Sequence, residues 1–174
     1  MALRKILTEP NEFLRKKSLP VEKVDDELRK IMDDMLETMY AAPGIGLAAI
    51  QIGVQKRIIV IDLAKQDEPK NPMFFINPEI IEKSTTNSTY EEGCLSVPGQ
   101  FAEIDRPEKC HIKYLDYYGE PKEIQTEGML ATCIQHEIDH LEGILFIDYL
   151  SKLKKTMIVK KLSKQKKELE RIVV

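Results

Sequence analysis

The chain has 174 residues, 43% of them hydrophobic and 32% charged, with a formal net charge of −3. That size and balance fit one soluble globular domain with a substantial core, and no apolar run approaches the length of a membrane span. The opening residues, Met1 to Pro10, carry neither an apolar signal core nor an Arg/Ser-rich transit stretch. Three cysteines at irregular spacings argue against a disulfide framework, so the expected location is the reducing cytoplasm.

In chain order, residues 25–40 predict an amphipathic helix: Leu28, Ile31, Met32, Met35, Leu36 and Met39 recur at three- and four-residue steps. Asp25 and Asp26 favour its start, and Pro43-Gly44 stops it. Residues 44–51, Gly-Ile-Gly-Leu-Ala-Ala-Ile-Gln, read as a tight small-residue loop or short strand. Residues 57–63 are rich in β-branched side chains and read as a buried strand, with two further short strands at 73–76 and 79–82 and a polar turn at 84–88. Residues 91–99 read as an irregular segment bounded by glycines. Residues 109–116 alternate in period two and turn at Tyr118-Gly119 into 122–126 as a hairpin.

A second helix runs from Gly128 to about Leu141, with Met129, Leu130, Cys133, Ile134, Ile138 and Leu141 giving it a broad apolar face and Gly143 closing it. A helix this apolar belongs in the middle of the protein. Beyond it, residues 152–174 hold nine Lys/Arg and two Glu, a local charge of +7 that leaves −10 on the rest. Leu153, Met157, Leu162, Leu169 and Ile172 space roughly as one helical face among these lysines. Strands and helices without βαβ alternation predict an α+β class: short antiparallel strands packed around a central helix, plus a basic C-terminal helix, in one domain spanning 1–174.

Residues 136–140 of the central helix read His-Glu-Ile-Asp-His. Two histidines four positions apart share a helix face at about 6 Å, close enough to bind one metal ion, and Glu137 between them can reach water on that ion. Catalytic sites of this kind usually take three protein ligands plus water. Cys133 lies about 10 Å along the helix axis from His140, too far to join both histidines, and Cys110 sits in an alternating strand and reads as core. Cys94, in the glycine-flanked segment, is the preferred third ligand. Asp148, Glu168 and Glu170 remain as acidic alternatives, which would describe a zinc endopeptidase. A non-enzymatic metal- or RNA-binding module is a further alternative.

Three stretches, Gly44-Ile-Gly-Leu-Ala-Ala-Ile-Gln51, Glu92-Gly-Cys-Leu-Ser96 and Gln135-His-Glu-Ile-Asp-His140, together resemble the signature motifs of the peptide deformylases, in order and at similar intervals, and the likeness extends over nearly the whole length. This resemblance implies hydrolysis of the N-formyl group from the initiator methionine of nascent chains. It implies that Cys94, His136 and His140 bind one divalent cation, Fe(2+) in the cell and Zn(2+), Ni(2+) or Co(2+) in purified protein. Glu137 would be the general base and acid. The Gln51 amide and the Leu95 backbone N–H would hold the oxyanion.

In the same likeness Gly44 and Gly46 allow close approach of a substrate strand. Ile45, Met129, Leu130 and Cys133 would line the methionine pocket, with Thr132 more polar than that wall requires. Arg106 would anchor substrate carbonyls or Glu92. The expected partners are N-formyl-Met peptides, with neither membrane nor DNA among them. The basic tail points to a ribosome contact against RNA phosphates.

Overall fold

The computed structural model describes residues 1–173. Seven strands and three α-helices follow in the order α1 (Asp26–Ala41), β1 (Gly46–Ala48), β2 (Ile58–Ile61), β3 (Met73–Lys83), β4 (Asn87–Cys94), β5 (Val97–Pro107), β6 (Lys109–Leu115), β7 (Pro121–Glu127), α2 (Gly128–Leu141) and α3 (Lys152–Ile172). Every strand pairing is antiparallel. Five strands form one sheet in the order β1-β2-β3-β6-β7, and β4 and β5 form a separate two-stranded ribbon.

Strand β2 shows why the sheet is central. Its four residues, Ile58 to Ile61, are all buried. Successive side chains point to opposite faces, and the two sets enter different cores. Ile58 and Val60 pack with Leu28, Met32, Met35 and Met39 of α1, whereas Ile59 and Ile61 pack with Phe75, Ile112 and the Ala131, Ile134, Ile138 stripe of α2. A strand covered on both faces reads as a continuous apolar run. α1 is held in phase by its cap: the Asp25 side chain accepts from the Leu28 N–H at 2.9 Å, and Asp26 and Glu27 occupy the first turn. A third cluster joins Val97 and Ile104 of the ribbon to Leu145, Phe146, Ile147 and Leu162, and so seats α3 against it.

Several sequence expectations are corrected. Residues 73–76 and 79–82 are one strand. Asn77 interrupts its register with a φ of 50°, a conformation asparagine tolerates, and its amide is held by the Val21 backbone at 2.8 Å on both sides. The turn expected at 84–88 ends sooner, because Asn87 and Ser88 already belong to β4. Residues 91–99 are no irregular segment but the tip of the β4–β5 ribbon, in register from Asn87↔Pro107 to Gly93↔Phe101. Its inward side carries Glu92 and Arg106 alongside Ile104, so the apolar alternation that marks a strand is absent there. On α3, Leu162 is buried and Ile158 and Val159 half-cover the same core. Leu153, Met157, Leu169 and Ile172, expected on that face, are exposed. Residue 174 of the expected tail lies outside the described residues.

Phe75 is fully buried between the sheet and α2, its ring tilted against Tyr114 at 4.6 Å between centroids. Phe75→Ala is expected to lower the unfolding free energy by about 3–5 kcal/mol, measured by urea denaturation.

Candidate metal centre

His136 and His140 lie one turn apart on α2, both buried, with ring centroids 5.1 Å apart. The ribbon brings Cys94, the last residue of β4, over them: its Sγ lies 3.3 Å from His140 Nε2. Ligand atoms of Cys94, His136 and His140 all fall within 4.8 Å of one another. One thiol and two imidazoles converging this way suit a four-coordinate divalent cation with one position left open. Burial and the neighbouring His136 hold His140 well below its ordinary pKa, in the neutral form that offers a lone pair. The acidic alternatives do not enter this cluster. Asp148 is occupied by Arg15 at 2.6 Å and Lys155 at 2.7 Å, and Glu168 and Glu170 are exposed on α3.

A buried ionic layer orients the first histidine. Glu92 Oε1 meets His136 Nδ1 at 2.8 Å, which leaves Nε2 as the ring atom for a cation. Arg106 grips the same carboxylate as a fork, Nε to Oε2 at 2.7 Å and Nη2 to Oε1 at 2.9 Å, and its third arm reaches Asp139 at 2.8 Å. Burial alone would raise the Glu92 pKa, but His136 and Arg106 hold it below the ordinary carboxylate value. Arg106 is therefore committed to Glu92 and Asp139. The alternative expectation, an anchor for substrate carbonyls, is corrected, since all three guanidinium nitrogens are engaged by the two carboxylates and the side chain is 4% exposed and outside the cleft lining.

Glu137, the next residue on α2, lines the same cleft as His136. It is buried, and its Oε2 has no hydrogen-bond partner among the described residues, so the pocket holds an acceptor ready for a water proton. Burial, with Glu92 and Asp139 acting in the same direction and His136 opposing, pushes its carboxyl up to about 7, the range a proton-shuttling group needs. A Cβ at Gly46 would come 2.6 Å from Glu137 Oε1 and 3.0 Å from Cys133 Sγ, so β1 lies this close to α2 because that residue is glycine. Gln51 is clamped by its own contacts. Its Oε1 accepts from the Ala48 N–H at 2.9 Å, and its Nε2 lies 3.0 Å from Ser96 Oγ and 3.6 Å from Cys94 Sγ. The amide therefore turns its donors toward the thiol. Leu95, next to Cys94, packs over Gly44 and lines the cleft.

The centre opens into a cleft of about 490 Å³. Gly44, Ile45 and Gly46 form one wall and Met129, Thr132 and Cys133 another. Strand β1 is the edge of its sheet, paired with β2 on one side, so its unpaired backbone borders this cleft. Leu130, expected on the α2 wall, is corrected: it packs against the sheet core. Residues 129, 132, 133, 136 and 137 share one helical face, and 130 belongs with 134, 138 and 141 on another. The ribbon adds a wall that the sequence reading missed, with Phe101 lying across Gly93. The signal was the cross-strand pair Gly93↔Phe101, visible once the hairpin is recognised. Asp139 and Tyr149 were missed as well, since only the fold places them beside Arg106.

The chain matches the Polypeptide deformylase family over residues 3–156. It is 64% identical to the peptide deformylase of Pelagibacter ubique (strain HTCC1062) over 174 residues, covering 100% of both chains. Among solved structures it is similar to a peptide deformylase from Legionella pneumophila, with a TM-score of 0.90 and 49% identity over 98% of this chain and 99% of that one. It is also similar to the peptide deformylase from Ehrlichia chaffeensis in complex with actinonin, with a TM-score of 0.91 and 46% identity over 95% and 98% of the two chains.

Arg106→Ala would strand Glu92 and Asp139 without their cation. Removing one partner of a buried pair costs about 3–5 kcal/mol, and a drop of that size in unfolding free energy is expected by urea titration of metal-free protein.

Proposed function

The chain belongs to the polypeptide deformylase family, and on that premise we propose that Cys94, His136 and His140 hold one divalent cation while Glu137 handles the proton in removing the N-formyl group from the N-terminal methionine of newly made polypeptides. The observation that carries this reading is the convergence of a thiol and two imidazoles beside a buried, unpartnered carboxylate in the wall of an apolar cleft. A cation bound there supplies an acidified water and polarises the formyl carbonyl. Fe(2+) is the proposed occupant in the cell, and Zn(2+), Ni(2+) or Co(2+) suit the same donors in purified protein.

The residues divide the remaining work. The substrate peptide lies along the free edge of β1 at Gly44, Ile45 and Gly46, pairing through backbone groups with little demand on sequence. The methionine side chain enters the pocket of Ile45, Met129 and Cys133. The Gln51 amide and the Leu95 backbone N–H meet the negative charge that develops on the formyl oxygen. Glu137 takes the proton of the attacking water and returns it to the amine nitrogen as the C–N bond breaks, leaving formate and a free amino terminus. The cleft also suits actinonin, which the Ehrlichia chaffeensis relative binds.

We take residues 1–174 as one catalytic domain acting in the cytoplasm. Among the described residues no helix is long and apolar enough to cross a membrane. The basic helix α3 is proposed to dock on the ribosome near emerging chains, its exposed Leu153, Met157, Leu169 and Ile172 surrounded by lysines facing RNA phosphates.

Glu137→Ala is expected to keep its metal, read by elemental analysis, while formate release from formyl-Met peptides falls about 10²–10⁴-fold. Full turnover in this variant would remove Glu137 from the mechanism. Reversing Lys160, Lys161 and Lys164 to Glu should leave formate release intact and reduce cosedimentation with ribosomes several-fold at low salt. Unchanged cosedimentation would discard the docking role.

A further inference from the structure

The short segment Phe146–Tyr149, between α2 and α3, makes a contact that the reaction does not use. The Tyr149 hydroxyl donates to Asp139 Oδ2 at 2.7 Å, and the same oxygen receives Arg106 Nη1 at 2.8 Å. The Tyr149 ring lies under the Arg106 guanidinium, 4.9 Å from its centroid to Cζ. From Arg106 the fork continues to Glu92, and Glu92 ends on His136 Nδ1 at 2.8 Å. Glu92, Arg106 and His136 are buried, while Tyr149 is 51% exposed. Tyr149 is thus the outer member of a hydrogen-bonded chain whose inner end is a candidate metal ligand.

We propose that Tyr149 is a positioning residue for His136, acting through Asp139, Arg106 and Glu92 to fix the angle at which the ring offers Nε2. Two effects combine. The hydroxyl holds Asp139 in place for the third arm of Arg106, and the ring keeps water off the guanidinium face. An Arg106 fixed by three hydrogen bonds and a covering ring cannot rotate, so the Glu92 carboxylate cannot swing, and the imidazole keeps one orientation. With the ring gone, water reaches Arg106 and Asp139, the local dielectric rises and the chain loosens at its base.

This inference rests on the metal reading above, and the test separates the two. Full-length protein is loaded with Co(2+), its visible ligand-field bands are recorded, and its affinity is measured against a competing chelator. Tyr149→Ala should raise the Co(2+) dissociation constant about 10-fold and alter the bands, as loss of a partner behind a metal-bound histidine does. Tyr149→Phe keeps the ring over Arg106 and should restore most of the affinity, leaving a rise of about 3-fold for the lost hydroxyl. Leu150→Ala, in the neighbouring residue that packs against the ribbon core, should lower thermal stability without changing the bands.

Bands and affinity in Tyr149→Ala equal to the wild type would overturn the proposal, as would an equal change in Leu150→Ala. Should Tyr149→Ala not fold, Tyr149→Phe decides, a wild-type affinity counting against the role. Wild-type protein that took up no Co(2+) would overturn the metal reading and this inference with it.

Discussion

The pair formed by Arg106 and Glu92 is the contact on which the site depends. Two charges have been taken almost fully out of water, a transfer costing several kcal/mol per ion that attraction alone does not reliably offset. Here the geometry compensates: a two-point fork, a third arm to Asp139 and the His136 Nδ1 on the carboxylate. These hydrogen bonds also tie three elements together. Glu92 lies on β4, Arg106 on β5, and His136 and Asp139 on α2. The pair therefore fastens the ribbon to the central helix. Cys94, two residues beyond Glu92 on the same side of β4, reaches the histidines because of it.

The five-stranded sheet supplies the rigid side of the arrangement. With α1 on one face and α2 on the other, β2 is immobilised by two cores, and β1 is registered on it from Gly46↔Ile61 to Ala48↔Ile59. Glu137 is pressed against Gly46 from the α2 side. A carboxylate held in that position by packing, with no hydrogen-bond partner for Oε2 among the described residues, keeps a fixed direction and a raised proton affinity. Burial, which costs stability for any charged group, here produces the property that acid–base chemistry needs. The same close approach leaves the open backbone of β1 beside the reacting group, so binding and proton transfer share one boundary.

The outer parts are attached by fewer contacts. α3 is held by Leu162 in the ribbon core, by Lys155 on Asp148 and by Lys166 on the Pro10 carbonyl. Most of its length faces solvent, and it carries a net positive charge apart from an acidic body. That separation leaves the basic surface free for a polyanion without placing cations around the cleft.

Local rules were enough for whatever depends on a few neighbouring residues. The histidine spacing, the amphipathic α1, the doubly covered run at 57–63 and the 109–126 hairpin follow from helix and strand periods, which are properties of the backbone. Periodicity also held the information that sets Leu130 apart from Met129 and Cys133, although the family likeness placed all three on one wall. The third ligand could not be decided that way, because Cys94 and His136 are 42 positions apart and their meeting depends on how a ribbon folds over a helix. Nor could the ribbon itself: its inward side carries an ion pair in place of an apolar stripe, so the hydrophobic signal that marks a strand was replaced by charges whose partners only the folded chain reveals. Sequence determined the chemistry available on each element. Tertiary packing decided which groups lost their water together, and for charged and metal-binding side chains that loss of solvent sets both proton affinity and orientation.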